Sequence, residues 1–229
     1  FSSLERVEKS GPEENFWVDW QMVEPRRTMP EDWEAHMRVH NLTEVDEVAL
    51  CDGIPPRFEG NPERLRYVLR TRYGEGINSQ FVSVIEPYGH EPFIQSVRLV
   101  RTIETDDQFA AVVEVVLKDG RRDLVMVTEN AATLRAEGFT MEGRVGFCRF
   151  DEATPVAGSL IAGTHLQGET VDLKQGMPSV DGTITGWDDT DPDDVRIVVE
   201  ETLPAIDLSG KYIIIDSTER SDASYRIEA

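Results

Sequence analysis

The sequence predicts an all-β protein: an antiparallel β-sandwich followed by a smaller C-terminal β module. Three observations predict it. Apolar residues recur at period two along most of the chain, helical periodicity is nearly absent, and Gly, Pro and Asp clusters punctuate the runs. Residues 16–23 read as a strand, followed by a loop through Pro25 and Pro30. Segments 33–42 and 45–51 read as two more, the second ended by Asp52-Gly53 and Pro55-Pro56. Segment 81–85 is stopped by Glu86-Pro87-Tyr88-Gly89, and 92–100 resumes the alternation. Segments 109–117 and 123–128 flank Asp119-Gly120 and make the clearest hairpin, because Gly tolerates the positive φ that a tight turn needs. Segments 134–136 and 143–150 follow, and the only helical candidate is the short run 62–66.

Composition shifts near Asp151. Residues 151–229 hold 17 acidic and 5 basic side chains, a net of −12, and residues 1–150 hold 27 and 18, a net of −9. A sandwich domain over 1–153 and a small module over 154–229 are therefore expected. The module's short strands fall at 158–162, 170–173, 182–187, 195–200, 211–216 and 225–227.

The 229 residues carry 44 Asp+Glu against 23 Lys+Arg, a formal net charge of −21. So acidic a surface repels phosphate backbones and excludes a general nucleic-acid binder. A 39 % hydrophobic content with four Trp provides a core and excludes disorder. No run of about 18 apolar residues exists, so no helical membrane span is expected. Nineteen of the 23 basic residues are Arg, whose planar fork pairs bidentately with carboxylates and sulfates.

The most informative segment is 64–73. Read as a strand, it places Arg64, Arg66, Val68, Arg70 and Arg72 on one face, each about 7 Å from the next, with Tyr73 on the other. The Arg row and Tyr73 are the candidate substrate-binding residues. The row either grips an acidic polymer or pairs with the chain's own Asp and Glu in an internal lattice. His36 and His40 lie four apart, which on a strand is about 13 Å and too far to share one ion. His90 and His165 are isolated, so no metal site is assigned to the histidines. Asp189, Asp191 and Asp193 are the one calcium candidate, set against a solvated hairpin tip, because the Gly and distal Glu of a calcium loop are missing. Cys51 and Cys148 read as two half-buried thiols, or as one disulfide if their strands are neighbours. No nucleophile elbow, P-loop or dinucleotide glycine pattern occurs, so no catalytic residue is assigned. Asn41-Leu42-Thr43 is a formal glycosylation sequon.

Several runs carry a family resemblance: Met37-Arg38-Val39-His40, Pro55-Pro56, 61–67, Phe81-Val82-Ser83-Val84-Ile85-Glu86-Pro87-Tyr88 and Pro92-Phe93-Ile94. With Gly182-Thr183-Ile184, 207–212 and Tyr225-Arg226-Ile227, the chain resembles the C-terminal β portion of heparinase II/III-type polysaccharide lyases. The resemblance implies a non-catalytic region that supports an α/α-toroid catalytic domain preceding Phe1, the whole cleaving uronate-containing polysaccharide by β-elimination. It implies a secreted protein, extracellular or periplasmic. It implies no cofactor in this chain, the family's structural metal lying elsewhere. The toroid and its metal ligands have no match here, so no catalytic or metal residue carries over. A free-standing carbohydrate-binding β module is the alternative.

Overall fold

In the computed structural model the described residues are 4–22, 30, 32–56, 61–101, 103–168, 170–176, 179–191, 195–200, 208–216 and 223–227. Every regular element among them is a β-strand. The chain divides into two compact units, Phe1–Pro178 and Ser179–Ala229. The strands of the first unit are β1 (Leu4–Ser10), β2 (Phe16–Gln21), β3 (His36–Asn41), β4 (Glu47–Gly53), β5 (Leu65–Thr71) and β6 (Ser83–Tyr88). They continue with β7 (Ile94–Leu99), β8 (Ala111–Leu117), β9 (Arg121–Val127), β10 (Thr133–Ala136), β11 (Phe139–Asp151), β12 (Thr154–Gln167) and β13 (Asp172–Lys174). The second unit holds β14 (Ile184–Asp188), β15 (Arg196–Val199), β16 (Tyr212–Ile215) and β17 (Ala223–Arg226), paired as two hairpins.

Three antiparallel sheets build the first unit. Two are small, in the orders β1-β4-β5 and β2-β3-β6. The third runs β13-β12-β11-β9-β8-β7, with β10 paired to β11. Its β8 shows why residue order dictates layering. Val112 points to one face, while Val113, Val115 and Leu117 point to the other. The first face joins Leu124, Met126, Cys148 and Phe150, and is closed by Leu134, Phe139, Met141 and Leu166. The second face packs with Ile94, Val97 and Leu99 against Leu42, Val82 and Val84 around the β2-β3-β6 sheet. Two sheets therefore share an apolar layer, which is the sandwich.

The Asp119-Gly120 hairpin forms between β8 and β9. Gly120 has φ 90° and donates its N–H to the Leu117 carbonyl at 3.0 Å, and Asp119 Oδ1 accepts from the Arg121 N–H at 3.1 Å. The longest pairing, β11 with β12, slips register between Glu142 and Gly143, where Gly143 faces Gly163. A Cβ on Gly163 would lie 2.6 Å from the Glu142 carbonyl oxygen, and one on Gly143 would lie 2.6 Å from the Gly163 Cα. Only glycine lets these two backbones meet so closely.

Several expectations change. Run 62–66 is not helical, since Leu65 already begins β5. β6 does not stop at Glu86-Pro87 but continues to Tyr88; it is the edge strand of its sheet, where a missing proline N–H is tolerated. Residues 151–156, where composition shifts, span the turn of the β11–β12 hairpin, with Asp151 paired to Thr154. The compact units divide at 178/179 instead of 153/154, because charge composition changes along a ladder that remains continuous. β1 has no counterpart in the sequence reading. Cys51 and Cys148 are both fully buried free thiols, held on β4 and β11 in different sheets. Pro25, Asp193 and Asp207 lie outside the described residues.

Gly163→Ala is expected to destabilise the chain by about 1–3 kcal/mol, the usual cost of forcing atoms into a filled site. Gly11→Ala, where no atom lies within 4 Å of the added Cβ, is expected to stay within about 0.5 kcal/mol. Urea unfolding midpoints of the two variants check the contrast.

Candidate functional site

Alternation on β3 sends His36, Arg38 and His40 to one face and Met37, Val39 and Asn41 to the other. The register aligns Asp19 of β2 with Arg38, and His36 with Tyr88 of β6. Three strands thus assemble a half-buried polar cluster. His36 Nδ1 donates to Asp19 Oδ1 at 2.9 Å, and its Nε2 donates to Glu34 Oε1 at 3.0 Å. A carboxylate only accepts, so this arrangement favours the doubly protonated ring of His36. Arg38 Nε donates to Asp19 Oδ2 at 2.9 Å, and the Tyr88 hydroxyl donates to the same oxygen. Tyr88 stacks on His36, with centroids 4.8 Å apart and planes 11° apart. The Arg38 guanidinium lies 4.2 Å from the Trp17 ring centroid.

The electrostatics follow from this geometry. Hydrogen bonds to Glu34 and Asp19 hold His36 above its ordinary value of 6.5. Burial pushes Asp19 up, but its bonds from Tyr88, His36 and Arg38 outweigh that and hold it below 3.8. The bonds from His36 and His90 hold Glu34 below 4.5. Burial, reinforced by the bond to Asp19, raises the Tyr88 phenol above 10.0. The cluster is a neutralised lattice whose donors and acceptors are already engaged with one another.

The other histidines are engaged in the same way. His40 Nε2 donates to Glu86 Oε2 at 2.9 Å, His90 Nδ1 to Glu34 Oε2 at 2.8 Å, and His165 Nε2 to Asp172 Oδ1 at 2.9 Å. Among the described residues, no three His, Cys, Asp or Glu side chains converge to hold a metal ion. Asp189 and Asp191 lie in the connection between β14 and β15, where Asp188 accepts from both the backbone and the hydroxyl of Thr190. Asn41 is buried and its amide is engaged, donating to the Val39 carbonyl and accepting from the Ser83 hydroxyl, so its sequon is inaccessible in the folded chain.

The Arg row has two different halves. Arg64 pairs with Glu5, and Arg66 pairs with Asp52 at 2.9 Å and Glu8 at 3.5 Å. Arg70 has no carboxylate partner among the described residues. Its Nη1 donates to the Ser83 hydroxyl at 2.8 Å, its guanidinium lies 5.0 Å from the Phe81 centroid, and burial pushes its pKa down. Arg72 and Tyr73 are exposed, Arg72 makes no ion pair with a described residue, and the Tyr73 N–H donates to Asp46. An open groove of about 630 Å³ separates Arg66, Val68 and Arg70 from Trp20, Met37 and Val39 of the β2–β3 pair. At one end, Trp20 Nε1 donates to the Arg66 carbonyl at 3.3 Å.

The grouping of Asp19, Glu34 and Tyr88 escaped the sequence reading. His36 and Arg38 are legible as one strand face, but their partners come from a register that no local pattern fixes. No family model, no curated protein and no solved structure matches the chain. No helix among the described residues is long and apolar enough to cross a membrane.

The cluster fixes the pH response. A raised His36 stabilises the fold fully below 6.5, and that stabilisation is lost as pH rises through the raised value. The lowered Asp19 and Glu34 stabilise it fully above 3.8 and 4.5, and that is lost as pH falls through their lowered values. Thermal melts are therefore expected to plateau between about pH 4.5 and 6.5. His36→Gln is expected to flatten the alkaline limb while the acid limb persists.

Proposed function

We propose that the chain is the non-catalytic β region of a heparinase II/III-type polysaccharide lyase, supporting a catalytic domain that precedes Phe1. One observation carries the reading: His36, the histidine of the polar cluster, is engaged by carboxylates through both of its ring nitrogens. β-Elimination needs a base free to take the proton at the uronate C5 and an acid to protonate the leaving oxygen. With both ring nitrogens held by carboxylates, His36 has no nitrogen open to that proton, and the hydroxyl hydrogen of Tyr88 is committed to Asp19. The run with the most distinctive resemblance, 81–94, also has a structural task, because it contains β6 and the start of β7 and joins two sheets through Glu86.

The test uses the full chain with heparin, heparan sulfate and alginate. The expected outcome is no rise in unsaturated-uronate absorbance. Turnover of any of them would overturn the reading, and retention on neutral polysaccharide gels would favour a carbohydrate-binding module instead. The parent reading frame supplies an independent check: a helical repeat bearing His and Tyr is expected on the N-terminal side of Phe1.

A further inference from the structure

We propose that the groove between β5 and the β2–β3 pair binds an amphipathic monocarboxylate, its carboxylate on Arg70 and its apolar body against Trp20, Met37, Val39 and Val68. The site does not rest on the lyase reading. A guanidinium offers five N–H donors, and only the bond to Ser83 is made with a described residue. A half-buried cation without a counter-ion costs free energy, and here it persists in a chain with 44 carboxyl side chains. Arg64 and Arg66 of the same row have found theirs, and Arg72, which has none among the described residues, is exposed to solvent. The arrangement leaves a planar donor fork open to a carboxylate, the shape it pairs with best.

The walls set the rest of the ligand. A groove of about 630 Å³ falls within the usual range for small-molecule sites, about 300–1,000 Å³. Trp20, Met37, Val39 and Val68 supply apolar surface, while the nearby Asn41 amide is already engaged with the Val39 carbonyl and Ser83. A polyhydroxylated sugar would bury hydroxyls there without partners, which is unfavourable. The second cation of the groove, Arg66, is neutralised by Asp52 and Glu8. A second anionic group on the ligand would therefore meet no free cation among the residues that line the groove.

Isothermal titration of the full chain with octanoate, octanol and glucuronate tests the proposal. Octanoate is expected to bind at least tenfold more tightly than either of the others. Arg70→Gln is expected to remove that preference, and Arg144→Gln to leave it intact. Equal affinity for octanol, tighter binding of glucuronate, or unchanged octanoate affinity in Arg70→Gln would each overturn the site. If Arg70→Gln does not fold, NMR of the unmodified chain decides. Octanoate must shift the Trp20 indole N–H and the Met37 methyl signals, and shifts confined to other residues would overturn the assignment.

Discussion

Glu86 has no solvent exposure, and its two oxygens accept from opposite directions. Oε1 takes the Ile94 N–H of β7 at 2.6 Å, and Oε2 takes His40 Nε2 of β3 at 2.9 Å. A carboxylate removed from water without such partners would be costly enough to neutralise or unfold its surroundings. Meeting that constraint ties the β2-β3-β6 sheet to the first strand of the large sheet beside their shared apolar layer. It also fixes the register of β6 on β3, which aligns Tyr88 with His36 and Arg38 with Glu86 itself. The polar cluster, the stacking and the edge position of Pro87 all follow from this anchorage.

Charge is the second organising constraint. With an excess of 21 negative charges, cations are scarce, and most of those described are held by specific carboxylates. Arg149 forms a two-bond fork with Asp123 at 2.7 Å on each arm, and Arg98 bridges Glu114 and Glu137 at 3.0 Å. The dominance of Arg over Lys suits this use, because a rigid fork loses less freedom per bond than an ammonium on a flexible stem. These pairs are mostly half-exposed, so each adds little stability by itself. Their combined effect is local neutrality, which lets acidic and basic strand faces pack without net repulsion.

Much of the fold is legible in the sequence because it is local. The β8–β9 hairpin is written in Asp119-Gly120 and its β-branched flanks, and the C-terminal hairpins in short alternating runs. What escapes is set by partners distant in sequence. Pro87 reads as a strand stop until β6 is known to be an edge. β12 runs from Thr154 to Gln167, far beyond the apolar centre at 158–162, because β11 pairs with it along nearly its whole length. Run 62–66 carries helix-favouring Glu, Arg and Leu, yet pairing with β4 claims it from Leu65 onward. The row from Arg64 to Arg72 was readable as a face, but which member lacks a carboxylate was not, since Glu5, Glu8 and Asp52 reach it through two separate ladders.

That last distinction separates the two polar regions of the first unit. The cluster of Asp19, Glu34, His36, Arg38 and Tyr88 looks catalytic by residue type, but its hydrogen bonds close upon one another, and they move Asp19, Glu34 and Tyr88 further from the range useful for proton transfer near neutrality. Arg70 looks ordinary by type, yet it is the member of its row that is half-buried and lacks a carboxylate among the described residues. Perturbed titration alone does not mark a functional group, because structural ion-pair networks produce it as well. Where every partner is present it marks a structural lattice, as on β3. Unmet bonding capacity beside an apolar surface is therefore the better guide to where this chain meets a ligand, and it points to the β5 groove instead of the histidines.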